Sequence, residues 1–322
     1  MRRDFISVVD ADPHDLTLLL DSAARMKRAR GEAGDRRILA GKCLAMVFEK
    51  ASTRTRVSFE VAMEELGGHA IFLNPHDLQL GRGEEIRDMA RVVSRYVAGV
   101  MIRAFRHGTI EEFARYSAIP VINGLSDREH PCQILGDLLT LREHFGSTDG
   151  LSVAWIGDGN NVCHSLILAA AMAGLDLSVA SPARYRPDHG IIEAARAAGA
   201  KIRVTGDPRE AARDADALYT DVWVSMGEPD EVWKGRIELL KPYQVNKKLL
   251  KMTDNPKVKF LHCLPSFHNR ETTVGEDVCK KFGLECMEVT EEVFESEACI
   301  VFDEAENRLH TIKAVMVATL GS

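Results

Sequence analysis

The stretch CLAMVFEKASTRTRVSFE, residues 43–60, joins an apolar run of strand length, Cys43 to Phe48, to a predicted helix start, Ser52-Thr53-Arg54-Thr55-Arg56. Helix N-termini present backbone N–H groups and a partial positive charge, so hydroxyls and guanidiniums placed there suit a phosphate-sized dianion. Arginine adds paired donors that lysine cannot supply in the same geometry. From these residues alone, an ordinary Ser/Thr helix cap followed by two solvated arginines is an equally good interpretation.

The same order of strand and helix repeats along the chain after residue 42. Apolar runs of strand length alternate with amphipathic runs as far as a helix predicted over 135–145, and the alternation begins again at Leu151. This alternation predicts βαβ units and parallel sheets. We therefore predict an α/β protein with two doubly wound parallel-sheet domains, residues 1–146 and 147–304, and a cleft between them. A last helix, within residues 305–322, is expected to pack back on the first domain.

The composition of the chain argues against several classes of protein. The chain has 322 residues, of which 45% are hydrophobic and 28% charged, and its net charge is −7. A negative net charge argues against a nucleic-acid-binding protein, which needs a basic face. No run approaches the roughly 20 apolar residues needed to span a bilayer. The seven scattered cysteines form no Cys-x-x-Cys pair, so we expect a cytoplasmic protein with no membrane partner, no disulfide framework and no metal.

Polar motifs follow the predicted strands of the first domain, at the edge of the sheet where α/β proteins bind ligands. Besides Ser52 to Arg56, they are Arg103 and His130-Pro131-Cys132-Gln133. The proline favours an extended backbone at His130 and directs its ring toward the strand ends. The imidazole and the Gln133 amide could hydrogen-bond a carbonyl group, although a capping histidine and a solvated glutamine are the commoner interpretation.

The second domain opens with Gly157-Asp158-Gly159-Asn160-Asn161 after a predicted strand. This resembles the start of a dinucleotide fingerprint, but valine occupies position 162, where the third glycine belongs, and no acid closes the next strand. We therefore predict no nicotinamide cofactor, and Asn161 remains a candidate donor to a ligand carboxylate.

Further candidates lie later in the chain. The segment 221–227, Asp-Val-Trp-Val-Ser-Met-Gly, suits a zwitterionic ligand, although a surface loop around a buried tryptophan is equally consistent. His262 and Cys263 are adjacent in a strand and point to opposite faces, which disfavours a thiol nucleophile. Arg308, near the start of the last helix, is either a third guanidinium of the site or a surface residue.

Together these motifs resemble the aspartate/ornithine carbamoyltransferase family. The resemblance rests on Ser-Thr-Arg-Thr-Arg at 52–56, His-Pro-Cys-Gln at 130–133 and His-Cys-Leu-Pro at 262–265, and the Asp-x-x-x-Ser-Met-Gly segment at 221–227 is similar to the ornithine branch. It extends over nearly the whole chain and includes 79–84, Gln-Leu-Gly-Arg-Gly-Glu, and 306–310, Glu-Asn-Arg-Leu-His.

The resemblance implies a transfer of the carbamoyl group from carbamoyl phosphate to the δ-amine of L-ornithine, without a cofactor or metal. It assigns the first domain to carbamoyl phosphate and the second to ornithine. For carbamoyl phosphate it implies Ser52, Thr53, Arg54, Thr55, Gln79, Arg103, His130, Gln133, Cys263, Leu264 and Arg308. Of these, Arg103, His130, Gln133, Cys263 and Arg308 are implied to be catalytic. For ornithine it implies Asn161, Asp221, Ser225 and Met226.

The family is trimeric, and Gln79 would reach a neighbour's site; assemblies of several trimers are equally compatible. Two other functions remain open from the residues themselves. One is a dehydrogenase that uses residues 157–161, and the other is a non-catalytic binding protein with the same fold. Within the family, the acceptor could also be putrescine or an acylated ornithine.

Overall fold

The computed structural model describes residues 3–31, 37–74, 83–224 and 230–321. The chain divides into two units, Met1–Glu143 with Ala305–Ser322, and His144–Glu304. Each unit contains one parallel sheet, so the predicted α/β class with two parallel sheets is confirmed.

The elements of the first unit are α1 (Pro13–Arg28), β1 (Cys43–Phe48), α2 (Thr53–Glu65), β2 (His69–Leu73), α3 (Ile86–Val93), β3 (Gly99–Arg103), α4 (His107–Tyr116), β4 (Val121–Leu125) and α5 (Pro131–Phe145). The strands lie in the order β2-β1-β3-β4 in the sheet. Most of α13 (Val301–Leu320) also belongs to this unit, as expected for the last helix. Strands β1 and β3 are the two central strands. The apolar side chains of β1, β3 and β4 pack against α3 and α4 around Ile102, Ile110 and Phe113.

The elements of the second unit are β5 (Ser152–Ile156), α6 (Asn161–Ala173), β6 (Asp176–Ala180), α7 (His189–Ala197), β7 (Lys201–Thr205), α8 (Pro208–Ala212), β8 (Ala217–Thr220), α9 (Asp230–Leu240), α10 (Lys247–Lys251), β9 (Lys259–His262), α11 (Thr273–Phe282) and α12 (Glu291–Phe294). The strands lie in the order β7-β6-β5-β8-β9 in the sheet. Strands β5 and β8 are buried along most of their length, as expected for central parallel strands.

Two elements begin or end at other residues than the periodicity indicates. Helix α5 starts at Pro131 rather than 135, because proline is well suited to the first helical position and the buried Gln133 and Asp137 interrupt the apolar pattern. Strand β9 ends at His262, before Cys263, which the sequence places in the same strand; Leu264 adopts a left-handed φ of 59°, which ends an extended strand.

Helices α9 and α11 were not expected. They pack with the buried Trp223 and Phe267 in one apolar cluster, so burial of their apolar faces stabilises both helices. No helix in the described ranges is long and apolar enough to cross a bilayer.

Candidate active site

The start of α2 is a capped helix N-terminus. Ser52 is the N-cap, in an extended conformation, and its Oγ accepts a hydrogen bond from the N–H of Thr55 at 3.3 Å. Thr53 and Arg54 therefore lie in the first helical turn, where the backbone N–H groups and the helix dipole favour an anion. The next residue, Arg56, turns away: it pairs with Glu60 and stacks on the ring of Phe72 at 3.9 Å.

Arg308 of α13 reaches this helix start. Its Nη2 donates to Oγ1 of the fully buried Thr55 at 3.1 Å, and Arg308 itself is only 4% exposed. Glycine at position 136 of α5 permits this approach, because a Cβ there would lie 2.9 Å from Cγ of Arg308. The contact joins residues 253 positions apart in sequence, so the third guanidinium considered from the sequence does lie beside the helix start.

Three guanidiniums converge on His130. The pKa of His130 lies well below its usual range because burial disfavours the charged ring, and the positive charges of Arg308, Arg103 and Arg54 lower it further. Arg103 is the last residue of β3, and its carbonyl accepts from the N–H of Glu49, directly after β1. At neutral pH the imidazole is therefore uncharged and offers one donor and one acceptor nitrogen.

Gln133 lies one turn after His130 and is fully buried. Its amide nitrogen donates to Oδ1 of Asp137 at 2.7 Å, and its backbone N–H donates to the carbonyl of His130 at 3.0 Å. These two bonds fix the orientation of the side-chain amide beside the imidazole. The first unit thus brings together every predicted residue of its own that the structure describes: Ser52, Thr53, Arg54, Thr55, Arg103, His130, Gln133 and Arg308.

The second unit builds a polar site around Asp221, which follows β8. Its carboxylate accepts from Nδ2 of Asn160 at 2.6 Å, from the N–H of Val222 at 2.8 Å and from Sγ of Cys263 at 3.1 Å. Asp221 is 7% exposed, and these contacts hold its carboxylate at the carboxyl ends of β5, β8 and β9. A fixed carboxylate of this kind can bind an ammonium group.

Asn160 was missed by the sequence analysis, which chose Asn161. The side chain of Asn160 caps α6 by accepting from the N–H groups of Val162 and Cys163, and Asn161 is the first helical residue. An asparagine directly before an apolar helix is a good N-cap signal. The hydrogen bond from Asn160 to Asp221, however, joins residues 61 positions apart, and a local pattern does not reveal it.

Cys263 and Leu264 lie on the same side of the second unit as Asp221. The imidazole of His262 and the thiol of Cys263 engage different partners: the imidazole accepts from the N–H of Leu264 at 2.8 Å, and the thiol donates to Asp221. Three predicted residues, Gln79, Ser225 and Met226, lie outside the described residues.

Two sets of side chains in the described ranges are close enough to share a metal ion. One comprises Asp221, His262 and Cys263, and the other comprises His268, Glu291 and Glu295, with ligand atoms within 4.8 Å of one another in each set. In the first set the contacts already described satisfy the carboxylate, the thiol and one imidazole nitrogen. This set is therefore better explained as part of an organic binding site.

Comparison with known proteins identifies the family. A family model described as "Aspartate/ornithine carbamoyltransferase, carbamoyl-P binding domain" matches residues 3–143, and one described as "Aspartate/ornithine carbamoyltransferase, Asp/Orn binding domain" matches residues 149–319. Two curated proteins named ornithine carbamoyltransferase are similar over nearly their whole length. The protein of Methanoculleus marisnigri is 53% identical over 98% of this chain and 96% of its own, and that of Methanospirillum hungatei is 49% identical over 99% and 100%.

The structural comparison agrees. The solved ornithine carbamoyltransferase of Pyrococcus furiosus superimposes with a TM-score of 0.90 and 44% sequence identity, covering 99% of this chain and 97% of that protein. Both domain models match in order, and the resemblance extends over the full length of the relatives. The chain therefore belongs to the aspartate/ornithine carbamoyltransferase family.

Proposed function

We propose that this protein is an ornithine carbamoyltransferase, which transfers the carbamoyl group of carbamoyl phosphate to the δ-amine of L-ornithine and releases L-citrulline and phosphate. The convergence of Arg54, Arg103 and Arg308 on a buried, neutral His130 carries the proposal. It supplies fixed positive charge for a dianion together with hydrogen-bonding groups for a carbonyl. The names of the close relatives support ornithine as the acceptor.

Residues 1–146 and 305–322 bind carbamoyl phosphate in this proposal. The first turn of α2, with Ser52, Thr53, Arg54 and Thr55, holds the phosphate through N–H groups, hydroxyls and one guanidinium. His130, Gln133 and the remaining guanidiniums surround the carbamoyl group. Negative charge builds first on the carbonyl oxygen and then on the departing phosphate, and donors fixed in advance stabilise both.

Residues 147–304 bind ornithine. The Asp221 carboxylate, held by three donors, receives the α-ammonium group, and Asn161, Ser225 and Met226 complete the contacts with the amino-acid end. Cys263 and Leu264 lie near the side-chain amine. Holding two substrates together in a reactive orientation supplies much of the acceleration, since effective molarities of such arrangements reach about 10⁵ M or more.

The acceptor must be a neutral amine to attack the carbonyl carbon. Its ordinary pKa is close to that of lysine, about 10.4. We therefore expect kcat/KM for ornithine to rise with pH through the neutral and mildly alkaline range.

The decisive experiment mixes the purified protein with carbamoyl phosphate and a panel of amines: ornithine, acetylornithine, putrescine and lysine. Both the ureido product and phosphate are measured. We expect stoichiometric citrulline and phosphate with ornithine and a much lower rate with the other amines. Turnover preferring putrescine or acetylornithine would refute ornithine as the acceptor but retain carbamoyl transfer, whereas no ureido product from any amine would refute both.

Two substitutions test the carbamoyl phosphate site and the ornithine site separately. Arg54→Ala should abolish turnover with little effect on thermal stability, and near-normal carbamoyl phosphate binding in this variant would contradict the anion site. Asp221→Ala should weaken ornithine binding and spare carbamoyl phosphate. Equal losses for both substrates would contradict the division of roles. Isothermal titration with carbamoyl phosphate gives the binding measurement for both variants.

Assembly as a homotrimer, or a multiple of trimers, is part of the proposal. Strand β2 is an edge strand of its sheet, its Ile71 is 41% exposed, and Val57 on α2, which packs against β2, is 50% exposed. Exposed apolar side chains beside a sheet edge suit association between copies of the chain. Gln79, six residues after the end of β2, then acts in the neighbouring subunit's site.

Mixing two inactive variants tests the shared site. Gln79→Ala and Arg308→Ala are unfolded together and refolded as mixed oligomers. If Gln79 acts across the interface, some sites in a mixed oligomer contain intact copies of both residues, and activity should reappear. Activity no higher than the sum of the separate variants would contradict this, and light scattering gives the mass of the assembly.

The proposal also includes that the enzyme acts in the cytoplasm, in arginine biosynthesis. All seven cysteines lie in the described ranges and none forms a disulfide, which agrees with a reducing compartment. Deletion of the gene in its host should produce an arginine requirement that citrulline relieves and ornithine does not.

A further inference from the structure

Two fully buried side chains lie beneath the segment that follows β9. His262 and Glu288 are both 0% exposed, and Nε2 of His262 lies 3.3 Å from Oε1 of Glu288. A ring nitrogen of His262 lies within 4.8 Å of a carboxylate oxygen of Asp221 and of Sγ of Cys263, so the pair adjoins that polar site from its buried side. Burying an ionisable pair costs free energy unless both groups are well hydrogen-bonded. The backbone groups that bond to this pair therefore show which segment it supports.

The pair holds both ends of one short loop. Nδ1 of His262 accepts from the N–H of Leu264 at 2.8 Å, and Oε1 of Glu288 accepts from the N–H of Phe267 at 2.7 Å. Because Nδ1 is an acceptor, the ring proton belongs on Nε2, which faces the Glu288 carboxylate. Residues 264–267 are thus fixed by two side chains that contact each other.

The carboxylate is suited to this task. Burial raises the pKa of Glu288, but the imidazole of His262 beside it and the N–H of Phe267 lower it, and the pKa ends below its usual range. An ionised carboxylate accepts hydrogen bonds more strongly than a neutral acid.

The loop needs such support. Leu264 adopts a φ of 59°, a left-handed conformation that is unfavourable for a non-glycine residue. The hydrogen bond from the N–H of Leu264 to His262 opposes relaxation to an extended backbone. That backbone in turn carries Cys263, whose thiol donates to the Asp221 carboxylate.

We propose that His262 and Glu288 are positioning residues, a buried clamp that sets the backbone of Cys263 and Leu264 for the acceptor amine. The proposal rests on the proposed function for the identity of the acceptor. The clamp contacts no substrate; it acts through the 263–267 backbone. Its loss should therefore impair the step that uses the amine and leave the binding of carbamoyl phosphate intact.

Paired substitutions test the clamp. His262→Leu and Glu288→Leu remove the acceptors for the two backbone N–H groups. His262→Asn retains an acceptor near the position of Nδ1, and Glu288→Gln retains one near Oε1. The control is Tyr219→Phe, which deletes a hydroxyl that donates to the buried Glu304, whose carboxylate also accepts from the backbone N–H of His262. This control disturbs the support of β9 but keeps both acceptors of the clamp.

Initial rates are measured against both substrates, with urea titrations for stability. We expect kcat to fall by about 100-fold in each Leu variant, the scale associated with a displacement of roughly 1 Å in a catalytic site. The Asn and Gln variants should recover most of that loss. The KM for carbamoyl phosphate should stay within about twofold throughout, and Tyr219→Phe should lose stability but retain wild-type kcat.

Two outcomes would overturn the proposal: folded Leu variants with wild-type kcat, or a fall in kcat in Tyr219→Phe as large as in the clamp variants. If the Leu variants do not fold, His262→Gln replaces His262→Leu, because its longer side chain places the amide toward Glu288 and leaves no acceptor at the position of Nδ1 for the N–H of Leu264. A kcat in His262→Gln well below that of His262→Asn supports the clamp, and equal kcat values in these two variants refute it. Should the wild-type protein carbamoylate another amine, the proposed acceptor fails and the same variants are tested with that amine.

Discussion

Replacing Thr55 with valine tests the anion site at its most deeply buried hydroxyl. Thr55 is 0% exposed, and its Oγ1 accepts a hydrogen bond from Nη2 of Arg308 at 3.1 Å. Because Arg308 occupies an acceptor position, the hydroxyl proton remains available to a phosphate oxygen at the start of α2. Valine retains the branched shape, so the substitution removes one acceptor and one donor and changes little else.

The expected magnitude follows from the charge of the partner. A hydrogen bond to a charged group contributes about 1.5–3 kcal/mol, and each 1.4 kcal/mol corresponds to about a factor of ten. Thr55→Val should therefore lower kcat/KM for carbamoyl phosphate by about 10- to 100-fold. Most of the effect should be a higher KM, because the guanidinium loses its anchor before the substrate binds.

Steady-state rates measure this directly. Carbamoyl phosphate is varied at saturating ornithine, then ornithine at saturating carbamoyl phosphate, and citrulline is quantified. The control is Ser58→Ala, one turn further along α2, whose hydroxyl donates to the carbonyl of Thr55 within the helix. Ser58→Ala should keep both KM values.

A carbamoyl phosphate KM unchanged in Thr55→Val would refute the reasoning, because it would mean that neither the hydroxyl nor the position of Arg308 matters to the phosphate. Equal changes in Thr55→Val and Ser58→Ala would also refute it. That result would assign the effect to the stability of α2 rather than to the anion site.

Three further substitutions test other contacts. Burial raises the pKa of Asp158 to about 6 despite Arg236 beside it, so the folded state loses stability as pH rises from about 4 to 6; Asp158→Asn should flatten this trend in urea titrations followed by tryptophan fluorescence. His310 is fully buried, and burial lowers its pKa to about 4. Stability should therefore rise between about pH 4 and 6.5, and His310→Leu should remove that rise, at most about 3 kcal/mol, as followed by circular dichroism. Asn160→Ala should cost about 1 kcal/mol through the lost cap and raise the ornithine KM through the lost bond to Asp221, whereas an unchanged KM would restrict Asn160 to capping.

Patterns among neighbouring residues were sufficient to predict most of the strands and helices. The apolar run at 43–48 corresponds to β1 without any shift, and Ser52 caps the following helix. These features depend on neighbours within a few residues, and periodicity and capping propensities describe such neighbours well.

The contacts that complete the candidate site were beyond sequence reasoning. The bond from Arg308 to Thr55 and the bond from Asn160 to Asp221 join residues separated by 253 and 61 positions. Glu288 appeared in the sequence as one acid in an acidic segment, and only its burial reveals its role. Burial and long-range pairing are properties of the folded chain, so a local pattern does not contain them.

The charge balance around His130 explains how the proposed dianion site can exist in a chain whose net charge is −7. Three guanidiniums from three separate elements meet a buried imidazole, and the low pKa of His130 keeps that ring uncharged. The site therefore presents three positive charges, and His130 retains an acceptor nitrogen that a protonated ring would lack. In the proposed function, carbamoyl phosphate brings two negative charges to this site. The remaining positive charge meets the negative charge that develops on the carbonyl oxygen during attack, so the electrostatic field stabilises the transition state more than the bound substrate.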